Sequence, residues 1–376
     1  MIAMCVVVSL PVKAMEFEVR PSVTTSLVWS DNVENESVNP KEDIYGVVTP
    51  SLFFLFTGKN SSLSLGGSVS GEAYRKFDEL NDVNSSQRVN VDYTASLSER
   101  FQLSLSGGFS FTPRAVETDV TEGTTPEGAP LEVTRRSDRY TWSAGPTVTL
   151  VYSPRTRVSF SGRYSTIQYS KDIDVTDSVT YSGSVRLERT VSPRLSAGIE
   201  GGYSTTDYDE GNDAKVYSLH AVANYAFSRA TNFSLSAGIS ALDEEVGGRS
   251  YDFTGSGSVS FRPSEEISVT VSGRRSFTPG GSFGRSTRSD EGRGDVRYEK
   301  GKVTVTAGGF LRSSISEDEE EDLFTTGVSG RVEFRILTHT SVFISSSYVD
   351  QESRSTVGED IRTTRVMVGF SLRGVL

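Results

Sequence analysis

The feature that most constrains this chain is an alternation of apolar and polar residues with a period of two. In the segment VYSPRTRVSFSGRYSTIQYS (residues 151–170), Val158, Phe160 and Tyr164 alternate with serine, arginine and glycine. The same pattern recurs in residues 178–188, 195–204 and 233–241. Because successive side chains of a β-strand point to opposite faces, the alternation predicts strands that are apolar on one face and polar on the other.

Short turn signals divide the chain at regular intervals. They lie at residues 58–60, 99–100, 153–155, 192–194, 228–230, 262–264, 300–302 and 338–340. Between successive short turns lies a longer segment rich in Asp, Glu, Asn and Gly, so that the chain alternates short turn, strand, long loop and strand. Eight short turns, with a further strand at each end, predict nine hairpins and therefore about 18 strands.

Composition excludes several other classes of protein. Hydrophobic residues make up 35% of the 376 residues and aromatic residues 10%, and there are 35 glycines. This mixture lacks the Leu, Ile and Ala of a helical core, yet it is too aromatic for a disordered chain. A net charge of −11 argues against nucleic-acid binding, and a single cysteine, Cys5, leaves no disulfide framework or cysteine metal site.

A β-sheet with one apolar face can form two kinds of soluble fold, a sandwich or a barrel with an apolar interior. Both need a dense apolar face, whereas here that face is diluted with Gly and Ala and carries aromatic residues near both strand ends. Those beside short turns are Tyr225, Phe227, Phe233, Phe261, Tyr298 and Phe334; those beside long loops include Trp29, Trp142, Tyr208, Tyr251, Phe277 and Phe324. Two aromatic girdles predict an all-β fold, a closed antiparallel transmembrane β-barrel in the cell outer membrane. Its short turns would be periplasmic and its longer loops extracellular, and a soluble secreted β-repeat adhesin is the alternative.

The N-terminus has the pattern of a secretory leader. Residues 2–10 are apolar and are followed by Val12-Lys13-Ala14, a small-residue cleavage pattern. We expect a signal peptide over residues 1–14 and a single barrel domain over 15–376. No basic residue precedes the apolar run, which indicates a start further upstream.

Charged residues follow the polar face of the predicted strands. The alternation places ten of them as lumen-lining candidates: Arg163, Arg186, Glu188, Glu200, Arg274, Arg297, Glu299, Arg331, Glu333 and Arg335. One interpretation is a ladder of ion pairs that braces the wall, and the other is a charge-lined conduit that biases which ions or acidic glycans pass. The longest loop, residues 113–134, either stays exposed or folds into the lumen.

The sequence offers no arrangement for catalysis. There are two histidines, His220 and His339, and neither belongs to a recognisable nucleophile–base pattern. The acidic run at residues 317–322 lacks the ligand spacing of a calcium loop and is interpreted as a solvated loop. We therefore expect no enzyme activity, no cofactor and no metal.

A resemblance to a known family rests on two groups of residues. The early segment SVTTSLVWSDNV (residues 22–33) and turns such as Tyr-Ser-Pro-Arg at 152–155 and Phe-Arg-Pro-Ser at 261–264 resemble the β-barrel porin family of the second type. The resemblance implies an outer-membrane barrel associated with exopolysaccharide and exosortase (PEP-CTERM) systems, and it carries over no catalytic residue. The implied partners are outer-membrane lipid, lipopolysaccharide, the outer-membrane insertion machinery and polysaccharide export components. The expected function is a porin-like or export channel, and the alternative is a non-conducting structural barrel whose loops serve surface interaction or assembly.

Overall fold

The computed structural model describes residues 16–112, 138–170, 176–209, 213–244, 248–278, 287–316, 322–354 and 360–374. The expected signal peptide at residues 1–14, the long loop at 113–134 and most of the acidic run at 317–322 lie outside these ranges. Among the described residues, no helix has the length and apolar character needed to cross a membrane.

The described chain consists almost entirely of β-strands. In chain order they are β1 (Glu16–Ser30), β2 (Asp43–Thr57), β3 (Ser61–Tyr74), β4 (Asp82–Ser98), β5 (Phe101–Thr112), β6 (Arg139–Ser153), β7 (Thr156–Tyr169), β8 (Ser178–Ser192), β9 (Leu195–Tyr208), β10 (Ala214–Ala226), β11 (Thr231–Glu244), β12 (Gly248–Phe261), β13 (Ile267–Thr278), β14 (Thr287–Lys300), β15 (Val303–Ser316), β16 (Asp322–Leu337), β17 (Thr340–Ser353) and β18 (Ile361–Arg373). A short 3-10 helix, Asp78–Leu80, lies between β3 and β4.

The strands form one closed antiparallel barrel. Each strand pairs with the next along the chain, and β1 also pairs with β18, with Ser22 opposite Arg373 and Ser30 opposite Arg365. The predicted count of about 18 strands is confirmed. The eight predicted short turns are confirmed as well, because each turn signal falls between two paired strands. At the β14–β15 turn, Gly301 has a φ of +59°, a backbone conformation that glycine adopts without steric cost.

The register gives every strand an outer and an inner face. Outer-face residues such as Ile199, Leu219 and Val296 are exposed apolar side chains. Their neighbours on the inner face are polar, as in the cross-strand pair of His220 and Glu200. This is the reverse of a soluble barrel, in which apolar side chains fill the interior, and it suits a wall whose outer solvent is lipid.

Aromatic residues border this outer apolar surface at both ends. Trp29, Trp142 and Tyr251 are exposed near the long loops, and Phe227 packs its ring 6.1 Å from that of Phe233 beside a short turn. Tyr140, Phe111, Phe324 and Tyr348 also lie on strand positions near the long loops.

Two residues predicted for the outer girdle are instead buried. Tyr208 pairs with Ser178, which the register places on the inner face, so its ring points away from lipid. Phe277 belongs to the outer face by alternation, but it packs in one cluster with Tyr208 and Leu242, an inner-face residue of β11. The alternation of apolar and polar residues does not show where the end of a strand bends out of the barrel wall.

Strand β2 also departs from simple alternation. Its register with β1 places Phe53 opposite Arg20 and Leu55 opposite Glu18, so that two large apolar side chains face inward. Phe54 and Phe56 face outward, where both rings lie near Phe17. The run of apolar residues hides which face is polar, and only the pairing with β1 settles the parity.

Candidate functional site in the barrel lumen

The inner wall of the barrel encloses a polar cavity of about 1060 Å³. Strands β8 to β16 supply its lining, chiefly through serine, threonine and arginine side chains. The charged lining residues are Arg186, Glu200, Arg274, Arg275, Glu291, Arg293, Asp295, Arg297 and Arg312, together with His220. These residues converge because each lies on the inner face of its strand, Arg275 excepted, and that face repeats every second position.

All ten residues predicted from alternation lie on the inner face of the barrel. Four of them line the cavity: Arg186, Glu200, Arg274 and Arg297. The register places the others on the same face of neighbouring strands: Arg163 (opposite Ser182), Glu188 (opposite Arg157), Glu299 (opposite Thr304), Arg331 (opposite Ser345), Glu333 (opposite Phe343) and Arg335 (opposite Ser341). Their part in solute passage stays a prediction.

Several of the ten form ion pairs along the wall. Arg297 donates to Glu299 at 2.8 Å and Arg331 to Glu333 at 3.2 Å, two residues apart on the same strand face. Arg186 pairs across strands with Glu200. Because these side chains are partly exposed to the lumen, each pair stabilises the fold only modestly, and the guanidinium groups still face the cavity.

Three of the predicted arginines have no such partner. Within the described ranges, no carboxylate forms an ion pair with Arg163, Arg274 or Arg335. The inner-face residues of the cavity lining include five arginines and three carboxylates, and the sixth lining arginine, Arg275, pairs with Asp290 on the outer face. The lining is therefore cationic, although the chain carries a net charge of −11.

Two inner-face arginines escaped the sequence analysis. Arg312 is buried and donates to the hydroxyls of Ser289 and Ser314, at 2.8 and 3.1 Å. Arg293 donates to Asp295 at 2.8 Å. The signal that would have found them was the same alternation, since Arg312 and Ser314 are two residues apart on β15.

His220 lies in a hydrogen-bonded chain on the cavity wall. Its Nε2 is 2.8 Å from the hydroxyl of Thr254, which in turn is 2.6 Å from the hydroxyl of Ser240. These hydroxyls are neutral hydrogen-bonding groups that can serve a polar solute as well as one another.

Aromatic rings interrupt the polar inner wall at β15 and β17. Phe310 lies over Gly327 of the next strand, where a Cβ atom would overlap its ring. The Arg331 guanidinium lies 3.7 Å from the centre of the Phe343 ring, a cation–π contact. The lumen thus offers both cationic and aromatic surfaces.

The long-loop mouth is partly filled by residues 31–42 and 75–81, which we call the mouth cluster. Its apolar part joins Val33 to Val28, Tyr45 and Tyr74 of the adjoining strands, and the two tyrosine rings stack with centres 4.5 Å apart. Phe77 and Leu80 pack against it. The first two long loops thereby fold inward against the strand ends.

Buried hydrogen bonds hold the mouth cluster in place. Asp43, only 1% exposed, accepts the backbone N–H groups of Lys76 at 2.9 Å and Phe77 at 3.4 Å. Asn35, which has a φ of 54°, accepts from Thr363 at 3.1 Å and from Arg365 at 3.4 Å on the opposite strand. These bonds tie both loops to β2 and β18.

An ion pair completes the mouth cluster. Lys41 donates to Glu34, and this bond raises the pKa of the Lys41 ammonium. The ammonium also lies over the Phe77 ring. The loop for which the sequence leaves an inward fold open, residues 113–134, lies outside the described residues.

The lumen is equipped to bind and orient anions. Guanidinium groups bind carboxylates, sulfates and phosphates through charge-assisted hydrogen bonds, and the serine ladder supplies further donors. In the part of the chain that the structure describes, no group of three or more His, Cys, Asp or Glu side chains is placed to hold a metal ion.

Comparisons with known proteins find similar barrels and one partial family match. Residues 134–249 match a family model described as "Putative MetA-pathway of phenol degradation". No curated protein matches the chain. Among solved structures, the chain is similar to OpdL of Pseudomonas aeruginosa (10% identity, TM-score 0.48, covering 95% of this chain and 99% of that one) and to OccAB3 of Acinetobacter baumannii (8% identity, TM-score 0.48, covering 96% and 100%).

A third similar structure is larger. The chain resembles the ferric citrate transporter FecA at 11% identity and a TM-score of 0.46, with 92% of this chain covered, and it spans 61% of the length of that protein. A closed 18-stranded antiparallel barrel, apolar outside and polar inside, is the architecture of porin-like proteins of the outer membrane.

Proposed function

We propose that the protein is an outer-membrane channel that lets small anionic solutes pass down their concentration gradient. The observation that carries the proposal is the cationic cavity, whose inner-face lining has five arginines against three carboxylates in a chain of opposite net charge. Rings of side-chain charge set the ion preference of a pore, and a cleft of one sign concentrates ions of the other. Arg274 and Arg163 matter most, because neither is neutralised by a carboxylate among the described residues.

The test is the ion selectivity of the purified protein in a planar bilayer under a salt gradient. The wild type is expected to conduct and to favour chloride over potassium. Arg274→Gln removes an unpaired inner charge, so the reversal potential is expected to move toward cations by several millivolts. Arg189→Gln is the matched control, because Arg189 lies on the outer face of β8, opposite Ala197. A cation-selective wild type, or equal shifts in both variants, would contradict the proposal.

A narrower proposal concerns the solute. The resemblance of residues 22–33 and of the Ser-Pro-Arg turns supports a link to exopolysaccharide export or secretion, in which acidic sugar units are the anions that the arginines meet. Its test is the conductance of the open channel during addition of an acidic oligosaccharide. Transient blockades that are absent with a neutral oligosaccharide of the same length support the link. Equal blockade by the acidic and the neutral oligosaccharide would contradict the link to exopolysaccharide.

The competing function is a non-conducting structural barrel. The mouth cluster favours it, because buried side chains fill part of the loop end of the lumen. The same bilayer measurement separates the two functions, since a structural barrel shows no conductance steps. Steps that appear only after the mouth cluster is loosened would favour the structural barrel.

A further inference from the structure

The hydrogen-bonded wall of the barrel is interrupted between β12 and β13. Their ladder runs from the pair Gly255–Arg275 to the pair Phe261–Val269 and goes no further. Yet β12 stays paired with β11 as far as Gly248, and β13 stays paired with β14 as far as Thr278. Residues 248–254 of β12 and 276–278 of β13 thus face each other without a ladder, and we call this place the seam.

The end of β13 lies inside the end of β12. Phe277 belongs to the outer face of its strand, yet it is only 8% exposed and packs in one cluster with Leu242 of the inner face of β11. Arg288, its partner in the ladder of β14, donates at 3.4 Å to Asp252, an inner-face residue of β12. Both contacts join an outer face to an inner face. The two hairpin ends therefore overlap, instead of meeting edge to edge.

Side chains close the seam in place of backbone hydrogen bonds. Across the seam, the Asp252 carboxylate accepts a hydrogen bond from the guanidinium of Arg288 at 3.4 Å. Buried apolar contact with Phe277 supplies the rest. Such contacts separate without unpairing any strand from its remaining neighbour, whereas an opening within a paired stretch of two strands would break ladder hydrogen bonds.

The surroundings of the seam change from polar to apolar across the wall. The arginine-rich cavity reaches it, since Arg274, Thr254 and Phe277 all belong to the cavity lining. Beside Phe277 the otherwise polar inner wall becomes apolar at Leu242 and Val216. On the lipid side, Tyr251 and Phe253 are exposed. A molecule passing outward would meet cations first, then apolar side chains, then lipid.

We propose that the seam is a side exit from the lumen into the membrane for amphiphiles with an anionic head and an aliphatic tail. The arginines of the cavity bind the head, and the tail passes between Phe277 and the inner wall of β11. The inference rests on the proposed passage of anions and adds to it a class of solute and a route. Small hydrophilic anions keep to the axis of the barrel.

The test is a disulfide cross-link that holds the ends of β12 and β13 together. Continuing the ladder beyond Gly255–Arg275 would place residue 253 opposite residue 277. The variant is therefore Phe253→Cys with Phe277→Cys, made in a Cys5→Ser background. Its two cysteines can form a disulfide only when the ends of β12 and β13 lie side by side. Decanoate uptake by cells carrying the oxidised variant is expected to fall about tenfold toward that of cells without the protein. Gluconate conductance in planar bilayers is expected to stay within about twofold of the wild type, and reduction should restore decanoate uptake.

The control disulfide lies in the same two strands but within the intact ladder. Val259→Cys with Val271→Cys joins residues that are already paired, so it should change neither measurement. Phe277→Ser is a second variant that needs no disulfide, and it should raise decanoate uptake by loosening the seam.

The outcomes separate the seam from the channel. Equal loss of decanoate uptake and gluconate conductance, or decanoate uptake that is unchanged in both the oxidised and the Phe277→Ser variants, would overturn the side exit. If the disulfide does not form, the Phe277→Ser result decides. A wild type without any gluconate conductance would instead contradict the proposed channel, whatever happens at the seam.

Discussion

At the scale of single residues, inward-facing aromatic rings depend on glycines of the next strand. Phe310 of β15 lies over Gly327 of β16, and Phe343 of β17 lies close to Gly369 of β18 in the same way. A ring that covers a glycine shields the bare backbone from water and fixes its own side chain against the wall.

Gly327→Val should expel the Phe310 ring into the lumen. The new Cβ would overlap the ring, so the ring must move and give up its packing against the backbone of β16, and we expect a loss of about 1–3 kcal/mol in the free energy of unfolding. The measurement is urea unfolding of the protein folded into vesicles. Gly330→Val on the same strand is the control, because its Cβ would meet only a carbonyl oxygen at 3.9 Å. Equal losses in the two variants would show that Phe310 does not depend on Gly327.

At this scale the sequence predicts which face a residue occupies, but not what the residue meets there. Alternation placed Arg186 and Glu200 on one face, and their cross-strand pairing needed only the register of β8 and β9. The lack of a partner for Arg274 is a property of distances that alternation does not contain. The inward position of Phe277 depends on how the end of β13 packs against β11 and β12, and the sequence pattern within β13 does not contain this information.

At the scale of elements, local sequence determines the hairpins, whereas the packing of the long loops depends on residues far away in the chain. A short turn and two alternating strands are specified within about 30 residues of sequence, so the eight hairpins with short turns follow from the pattern. The mouth cluster instead joins residues 31–42 to β18, more than 300 positions away, as in the hydrogen bond from Thr363 to Asn35. No local signal marks such a contact, and this explains why the sequence analysis looked to a different loop.

Asp43→Ala should loosen the mouth cluster. It removes the acceptor of the Lys76 and Phe77 backbone N–H groups, and each lost hydrogen bond costs about 0.5–1.5 kcal/mol. Release of the second loop from the mouth is expected to raise single-channel conductance and to speed amide exchange of residues 75–81.

The control for this loop variant is Asp78→Ala. Asp78 is an exposed carboxylate of the same loop, so its removal changes the charge at the mouth by the same amount without breaking these bonds. Conductance that rises equally in both variants would mean that charge, and not the fold of the cluster, limits the current at the loop end.

At the scale of the whole molecule, the two faces of the wall are in different solvents. The outer face carries exposed Leu, Ile, Val and aromatic side chains, and the inner face carries Ser, Thr and paired charges. In hydrocarbon every backbone N–H and C=O needs a partner, and the closure of β1 on β18 supplies the last of these pairs for most of the wall. Both the backbone pairing and the outer side chains therefore suit a wall surrounded by lipid, and each face should respond differently to a charge.

Leu219→Arg and Ser218→Arg test this at neighbouring positions near the middle of β10. Leu219 is 58% exposed on the outer face, whereas Ser218 lines the cavity. An arginine facing lipid near the centre of the membrane costs about 2–4 kcal/mol, so Leu219→Arg should lower the free energy of unfolding from vesicles by that amount. Ser218→Arg places the same side chain in water and should cost little, although it should strengthen anion selectivity. If the two variants lost equal stability, or if Ser218→Arg lost more, the apolar face of this barrel would not be the one that contacts lipid.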